Sequence, residues 1–194
     1  MSARAVGVAI RSPSRWLAAG AAALLLVASW LVAFVTPTDA ERDAPFVTSM
    51  TIGEPATGRN LSATVEAVRL AQAVHTNKWE ADGENLWVVV DLSAEAVHDD
   101  VRASLLGMTL RVGDRTYRAS ERPESLLKRG LSTGIPTSGV LAFELPEAAA
   151  TGHGVLDLSL AEDTRLDSVL RLDIDLAALD IESDIELAPT AWGQ

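Results

Sequence analysis

From Trp16 to Val35 the chain reads WLAAGAAALLLVASWLVAFV, twenty residues without a charge. As a helix rising about 1.5 Å per residue, such a run spans about 30 Å, the hydrocarbon thickness of a bilayer. Arg4, Arg11 and Arg15 precede it. Asp39, Glu41 and Asp43 follow it, with Arg42 as the one basic residue among them. The excess of arginine on the N-terminal side orients the helix with its N-terminus in the cytoplasm. The expected organisation is a cytoplasmic N-terminus at 1–15, a transmembrane helix at 16–35, a linker at 36–47 and an extracytoplasmic domain at 48–194. Trp16 fits an interfacial aromatic belt, Trp30 less well.

A cleaved signal peptide is the rival reading of this run. Its apolar core would be about 7–15 residues long and would precede a small-x-small cleavage site. This run is longer, and Thr38-Asp39-Ala40 is a poor site, although Ala28, Ala33 and Ala40 keep cleavage open. The expectation is an uncleaved anchor, with the domain held at the cell membrane.

The composition of the remainder excludes several classes of function. With Arg4, Arg11 and Arg15 set aside, 13 basic residues stand against 27 acidic ones, a net charge of −14 after residue 35. So acidic a domain is not built for nucleic acid, whose phosphates need Lys and Arg, nor for lying flat on anionic lipid. There are no cysteines, hence no disulfide, thiolate metal site, cysteine nucleophile or lipidated N-terminal cysteine. Roughly 150 residues suffice for one domain with a real core.

The stretch TPTDAERDAPFV at 36–47 holds two prolines and four charges and reads as a linker. Beyond it the pattern has period two. Leu61, Ala63, Val65 and Ala67 alternate with polar residues. Leu86, Val88, Val90, Leu92 and Ala94 alternate with Trp87, Val89 and Asp91, and both segments read as half-buried strands. Between them Asn77, Asp82 and Gly83 mark turns. Ser104–Val112 and Arg115–Ala119 flank Gly113-Asp114 as a hairpin. Ser120–Gly139 reads as a long loop, with one helical turn at Ser125-Leu126-Leu127-Lys128. Val140–Leu145, Gly154–Leu160 and Leu170–Leu176 complete the strands. Seven or more short strands with no amphipathic helix between them predict an all-β fold, an antiparallel β-sandwich.

Segments from Thr51 to Pro146 resemble a known family. They are Ile52-Gly53-Glu54, the strand from Leu61 to Val68, Leu86-Trp-Val-Val-Val90-Asp91-Leu92, the hairpin Gly113-Asp114-Arg115-Thr116-Tyr117, and Ile135-Pro136-x-x-Gly139-x-Leu141-x-Phe143-Glu144-Leu145-Pro146. Together they are similar to the secreted or lipid-anchored Ig-like domain of unknown function in Gram-positive surface proteins, a family related in fold to a mycobacterial secreted immunoprotective antigen. The resemblance implies an Ig-like antiparallel β-sandwich, here preceded by one N-terminal transmembrane helix in place of the lipobox many relatives carry. It implies no catalytic residues. The family core ends near Pro146, so the last 48 residues read as an acidic C-terminal extension.

No constellation points to catalysis, a cofactor or a metal. His75, His98 and His153 lie in or beside turns without metal-ligand spacing. Ser138-Gly139 and Ser132-Thr133-Gly134 are not nucleophile elbows. Residues 155–187 hold ten acids, Asp157 to Glu186, against Arg165 and Arg171. Asp173-x-Asp175 or Asp180-x-Glu182-x-Asp184 could contribute oxygen ligands to calcium. Their alternation with Leu and Ile is instead that of a solvated, aggregation-resistant edge. Trp79, Trp87 and Trp192 read as locally packed. The expected function is a membrane-anchored extracytoplasmic Ig-like domain with a non-catalytic interaction or scaffolding role, meeting a protein partner at the cell surface. The alternatives are a calcium- or cell-wall-ligand-binding module and an accessory subunit of a membrane transport complex.

Overall fold

The structure, a computed structural model, describes residues 15–36, 42–81, 83 and 85–192. Arg4, Arg11, the Thr38-Asp39-Ala40 site, Glu41 and Asp82 lie outside the described residues. The chain forms two compact units, Met1–Arg42 and Asp43–Gln194.

In the first unit, helix α1 runs Arg15–Val35, 21 residues with none buried. It is long and apolar enough to cross a membrane. Trp30 stacks on Phe34 four residues on, with ring centroids 5.6 Å apart. At the C-terminus Thr36 donates from both its backbone N–H and its Oγ1 to the Val32 carbonyl, at 2.9 and 2.6 Å. This satisfies a carbonyl that the helix end would otherwise leave open.

The second unit is all-β. In chain order its strands are β1 (Phe46–Ser49), β2 (Ala56–Thr57), β3 (Leu61–His75), β4 (Glu80–Ala81), β5 (Asn85–Ala96) and β6 (Thr109–Val112). Then come β7 (Arg115–Arg118), β8 (Thr137–Pro146), β9 (His153–Leu158), β10 (Ser168–Asp175), β11 (Ile181–Glu186) and β12 (Ala191–Trp192). One sheet has the order β1-β10-β9-β6-β7. The other has β11-β3-β5-β8-β12, with β2 and β4 also pairing with β3. Pairing is antiparallel except for β1 with β10 and β11 with β3. The predicted β-sandwich is therefore present, with a parallel strand added at one edge of each sheet. The sheet starts at Phe46, inside the stretch read as linker.

The main core lies between the sheets. Leu70, Val88 and Phe143 stand opposite one another across β3, β5 and β8. Leu110, Leu156 and Leu172 do so across β6, β9 and β10. All six are buried. In β3 a bulge between Val65 and Ala67 shifts the register, so after Glu66 the inward phase passes to Val68 and Leu70 and Ala67 leaves the core. An extra residue in one strand has that effect because side chains alternate with a period of two.

The second strand departs further from its half-buried reading. Both faces of β5 are buried. Leu86, Val88, Val90 and Leu92 face the main core. Trp87 and Val89 enter a second cluster on the outside of the sheet, with Ala71, Val74, Val140, Ala142, Ile185 and Leu187. The run Val88-Val89-Val90 is the sequence trace of this two-sided burial.

The C-terminal residues correct the sequence reading most. They are not an extension appended to a finished domain. β9 and β10 are the middle strands of their sheet. β11 and β12 lie at opposite edges of the other sheet, so Leu187–Thr190 connects the two edges, and Leu187 is buried in the outer cluster. Elsewhere, the hairpin turns at Gly113-Asp114 with Gly113 at φ +57°, as a two-residue loop with glycine in its first central position requires. Ser104–Met108 is not part of that hairpin's strand. Ser125–Lys128 forms no helical turn; instead the Arg129 N–H donates to the Leu126 carbonyl at 3.0 Å and closes a β-turn.

Candidate functional site

The three histidines do not converge. His75 ends β3, and its Nδ1 lies 2.9 Å from Asp184 Oδ2 on the neighbouring strand β11. The hydrogen bond to Asp184 raises the His75 pKa above its ordinary value. Burial opposes the shift, while the charges of Asp184, Glu186 and Glu80 add to it. His153 Nε2 lies 3.3 Å from Asp173 Oδ1. His98 sits in the loop after β5, where its backbone N–H donates to Asn60 Oδ1 at 2.7 Å. Among the described residues no three His, Cys, Asp or Glu side chains are grouped so as to hold a metal ion.

The acidic residues of 155–187 are spread over different faces. Asp157 accepts a bidentate pair from Arg171 at 2.6 and 2.8 Å, directly across β9 and β10, and this pairing raises the Arg171 pKa. Asp163 takes the Arg165 guanidinium, and Asp184 takes His75. Only the acids of β11 stand on an edge strand. Asp173 and Asp175 lie on the outward face of an interior strand, alternating with buried Leu172, Ile174 and Leu176. Asp175 accepts from the Ala177 N–H at 3.2 Å and so caps the short 3-10 turn that follows. Asparagine keeps that acceptor. Asp173→Asn combined with Asp175→Asn is therefore expected to change stability by no more than about 0.5 kcal/mol, as at other exposed positions. A calcium titration of both proteins by thermal shift tests the alternative role. A rise in melting temperature in wild type that the double variant loses would make these carboxylates calcium ligands.

Ser132–Gly134 and Ser138 have structural roles. The Thr133 N–H and Oγ1 both donate to Asp100 Oδ1 at 2.6 Å, which lowers the Asp100 pKa. Ser138 pairs with Ser93 and Ala191 across its sheet.

An open groove of about 510 Å³ has an aromatic wall and a charged rim. It is bounded by the turn Thr76–Trp79, by Arg122 and Glu124, and by Glu186–Pro189. Trp79 meets Trp87 edge to face, with ring centroids 5.7 Å apart at 83°. Trp87 is buried, and Trp79 forms part of the groove wall. The Thr76 Oγ1 holds the turn by accepting from both the Lys78 and the Trp79 N–H groups. Lys78, Arg122, Glu124 and Glu186 supply charges of both signs at the rim. Such a wall can stack or bury an apolar ring, while the rim offers hydrogen bonds. The groove is assembled from three segments more than 30 residues apart, so no local motif announces it. The adjacent tryptophans were the one sequence signal.

No protein-family model matches the chain, and no curated protein matches it. Among solved structures it is similar to an uncharacterized β-sandwich protein from Clostridium difficile 630. That match covers 70 % of this chain and 99 % of the other at 10 % identity, with a TM-score of 0.41.

Proposed function

We propose that the protein is a single-pass, N-in membrane protein that holds one β-sandwich outside the cytoplasmic membrane, where the domain acts as a non-catalytic interaction module. The observation that carries this reading is α1, whose 21 apolar-rich residues are all unburied. A free helix of this composition has no stable place in water, whereas a bilayer satisfies both its length and its side chains. The arginines before it and the acids after it favour the stated orientation. The likeness of Thr51–Pro146 to secreted Gram-positive Ig-like domains supports an extracytoplasmic position. For the domain's role, dispersed histidines and locally paired acids favour binding over catalysis. A ligand-binding module is the second reading, favoured by the groove beside Trp79.

The cysteine-free sequence makes topology simple to test. In intact cells a membrane-impermeant maleimide should label Asp114→Cys, at the tip of the hairpin, and should reach Ser2→Cys only after lysis. The mass of the membrane-extracted chain should correspond to a start near Met1. A chain starting at Glu41 would show that the apolar run is removed, and labelling of Ser2→Cys in intact cells would reverse the orientation.

A further inference from the structure

The two ends of the sandwich differ in character. Five large apolar side chains at one end are exposed: Phe46 (61 %), Val101 (75 %), Ile135 (48 %), Leu166 (53 %) and Trp192 (61 %). They belong to loops and strand ends joined by hydrogen bonds. The Phe46 N–H donates to the Asp167 carbonyl, and the Leu166 N–H to that of Asp43. Arg59 donates to the Leu166 carbonyl, and Asn60 to the Asp99 carbonyl. Asp100 accepts from Thr133, two residues before Ile135, and Trp192 pairs with Thr137 two residues after it. At the opposite end, the connections Thr76–Trp79, Gly113-Asp114, Glu147–Gly152 and Leu176–Asp180 carry no exposed large apolar residue among the described residues.

Two features of the apolar end run against ordinary loop economy. Leu166 holds φ +54° and Arg102, beside Val101, holds φ +57°, in a region where residues other than glycine are strained. The strained backbone presents these side chains to solvent rather than to the core. Two ion pairs lie in the same loops, Arg59 with Asp167 at 3.5 Å and Arg165 with Asp163 at 2.6 Å. The other charged side chains there, Asp43, Asp99, Asp100, Arg102 and Glu162, leave the loops mildly acidic, in a chain that is strongly acidic beyond the helix as a whole.

The apolar end is also where the chain enters the domain. Ten residues separate Val35, the end of α1, from Phe46. Even fully extended, they keep Phe46 within about 40 Å of the helix end. Resting on the membrane-anchored reading above, we propose that this end of the sandwich contacts the lipid surface, with Phe46, Val101, Ile135, Leu166 and Trp192 entering the interfacial layer. Short tethering supplies the high local concentration that lets a small apolar rim bind, and tryptophan is favoured at that depth. The acidic remainder then points away from the headgroups, so the domain stands end-on rather than flat.

The test uses the full chain in phosphatidylcholine vesicles. Single cysteines at Val101, Trp192 and Asp114 carry an environment-sensitive fluorophore, and circular dichroism confirms that each variant is folded. With headgroup-proximal nitroxide lipid, emission from positions 101 and 192 should be quenched and blue-shifted, while that from position 114 at the opposite end should not change. Equal, unquenched emission from all three, in protein that floats with the vesicles, overturns the lipid contact and leaves the anchor intact. Failure of the chain to float with vesicles overturns the anchor itself.

Discussion

Val88→Asp should abolish folding of the sandwich. Val88 is fully buried at the centre of β5, opposite Leu70 on one side and Phe143 on the other. Every neighbour on that face is apolar, so a carboxylate there has no partner. Burying it uncompensated costs several kcal/mol, and protonating it leaves an unsatisfied polar group. Against a total stability of about 5–15 kcal/mol, that is enough to unfold most of the population. Val88→Ala separates charge from volume. It removes two carbons, worth about 2 kcal/mol with some cavity cost, and should leave a folded protein of lower melting temperature. Circular dichroism melts of both variants check this. A Val88→Asp protein that melts like wild type would mean that position 88 does not face the inter-sheet core.

The same residues show what was legible in the sequence. The alternation of Leu86, Val88, Val90 and Leu92 correctly marks their inward face, because a two-residue period has one reading wherever the strand is regular. Leu172, Ile174 and Leu176 are buried for the same reason. α1 is legible because twenty uncharged residues have few alternatives. Three things were not. The bulge at Glu66 breaks the period of β3, so extrapolating from Leu61 assigns Ala67 to the wrong face. The parallel partners of β3 and β10 lie more than 100 residues away in the chain, and pairing at that separation leaves no local signature. β11 reads as a solvated acidic run because four of its six residues are polar, and five of the six are exposed, with only Ile185 anchoring it. Its role depends on Trp87 and Val89, whose outward position looked like the solvent side of a half-buried strand. The groove beside Trp79 was hidden for the same reason, since its far wall is the segment after β11.

That dependence makes the C-terminus the second critical test. Deleting Asp180–Gln194 removes β11, the connection through Leu187 and β12. Ile185 and Leu187 are 2 % and 3 % exposed, so losing their burial costs about 1.5–3 kcal/mol each. The deletion also uncovers Trp87, Val89, Val140 and Ala142. The inter-sheet core keeps all its members, because none of them lies beyond Leu176. The expected product is therefore a weakened sandwich with an apolar outer face. The full chain in detergent should lose about 3–6 kcal/mol in denaturant titrations, a large share of total stability. Leu187→Ala alone should lose about 2–5 kcal/mol by the same mechanism. Deleting only Ala191–Gln194 removes the exposed two-residue β12 and leaves Ile185 and Leu187 in place, so its effect should be small. The three variants rank the contributions. Both deletions remove the exposed Trp192, so they are compared with each other: indole emission of the long deletion should lie to the red of the short one as Trp87 meets water. If the long deletion and Leu187→Ala both unfold at the wild-type midpoint, and the long deletion emits no further to the red than the short one, the C-terminal segment does not seal the outer face.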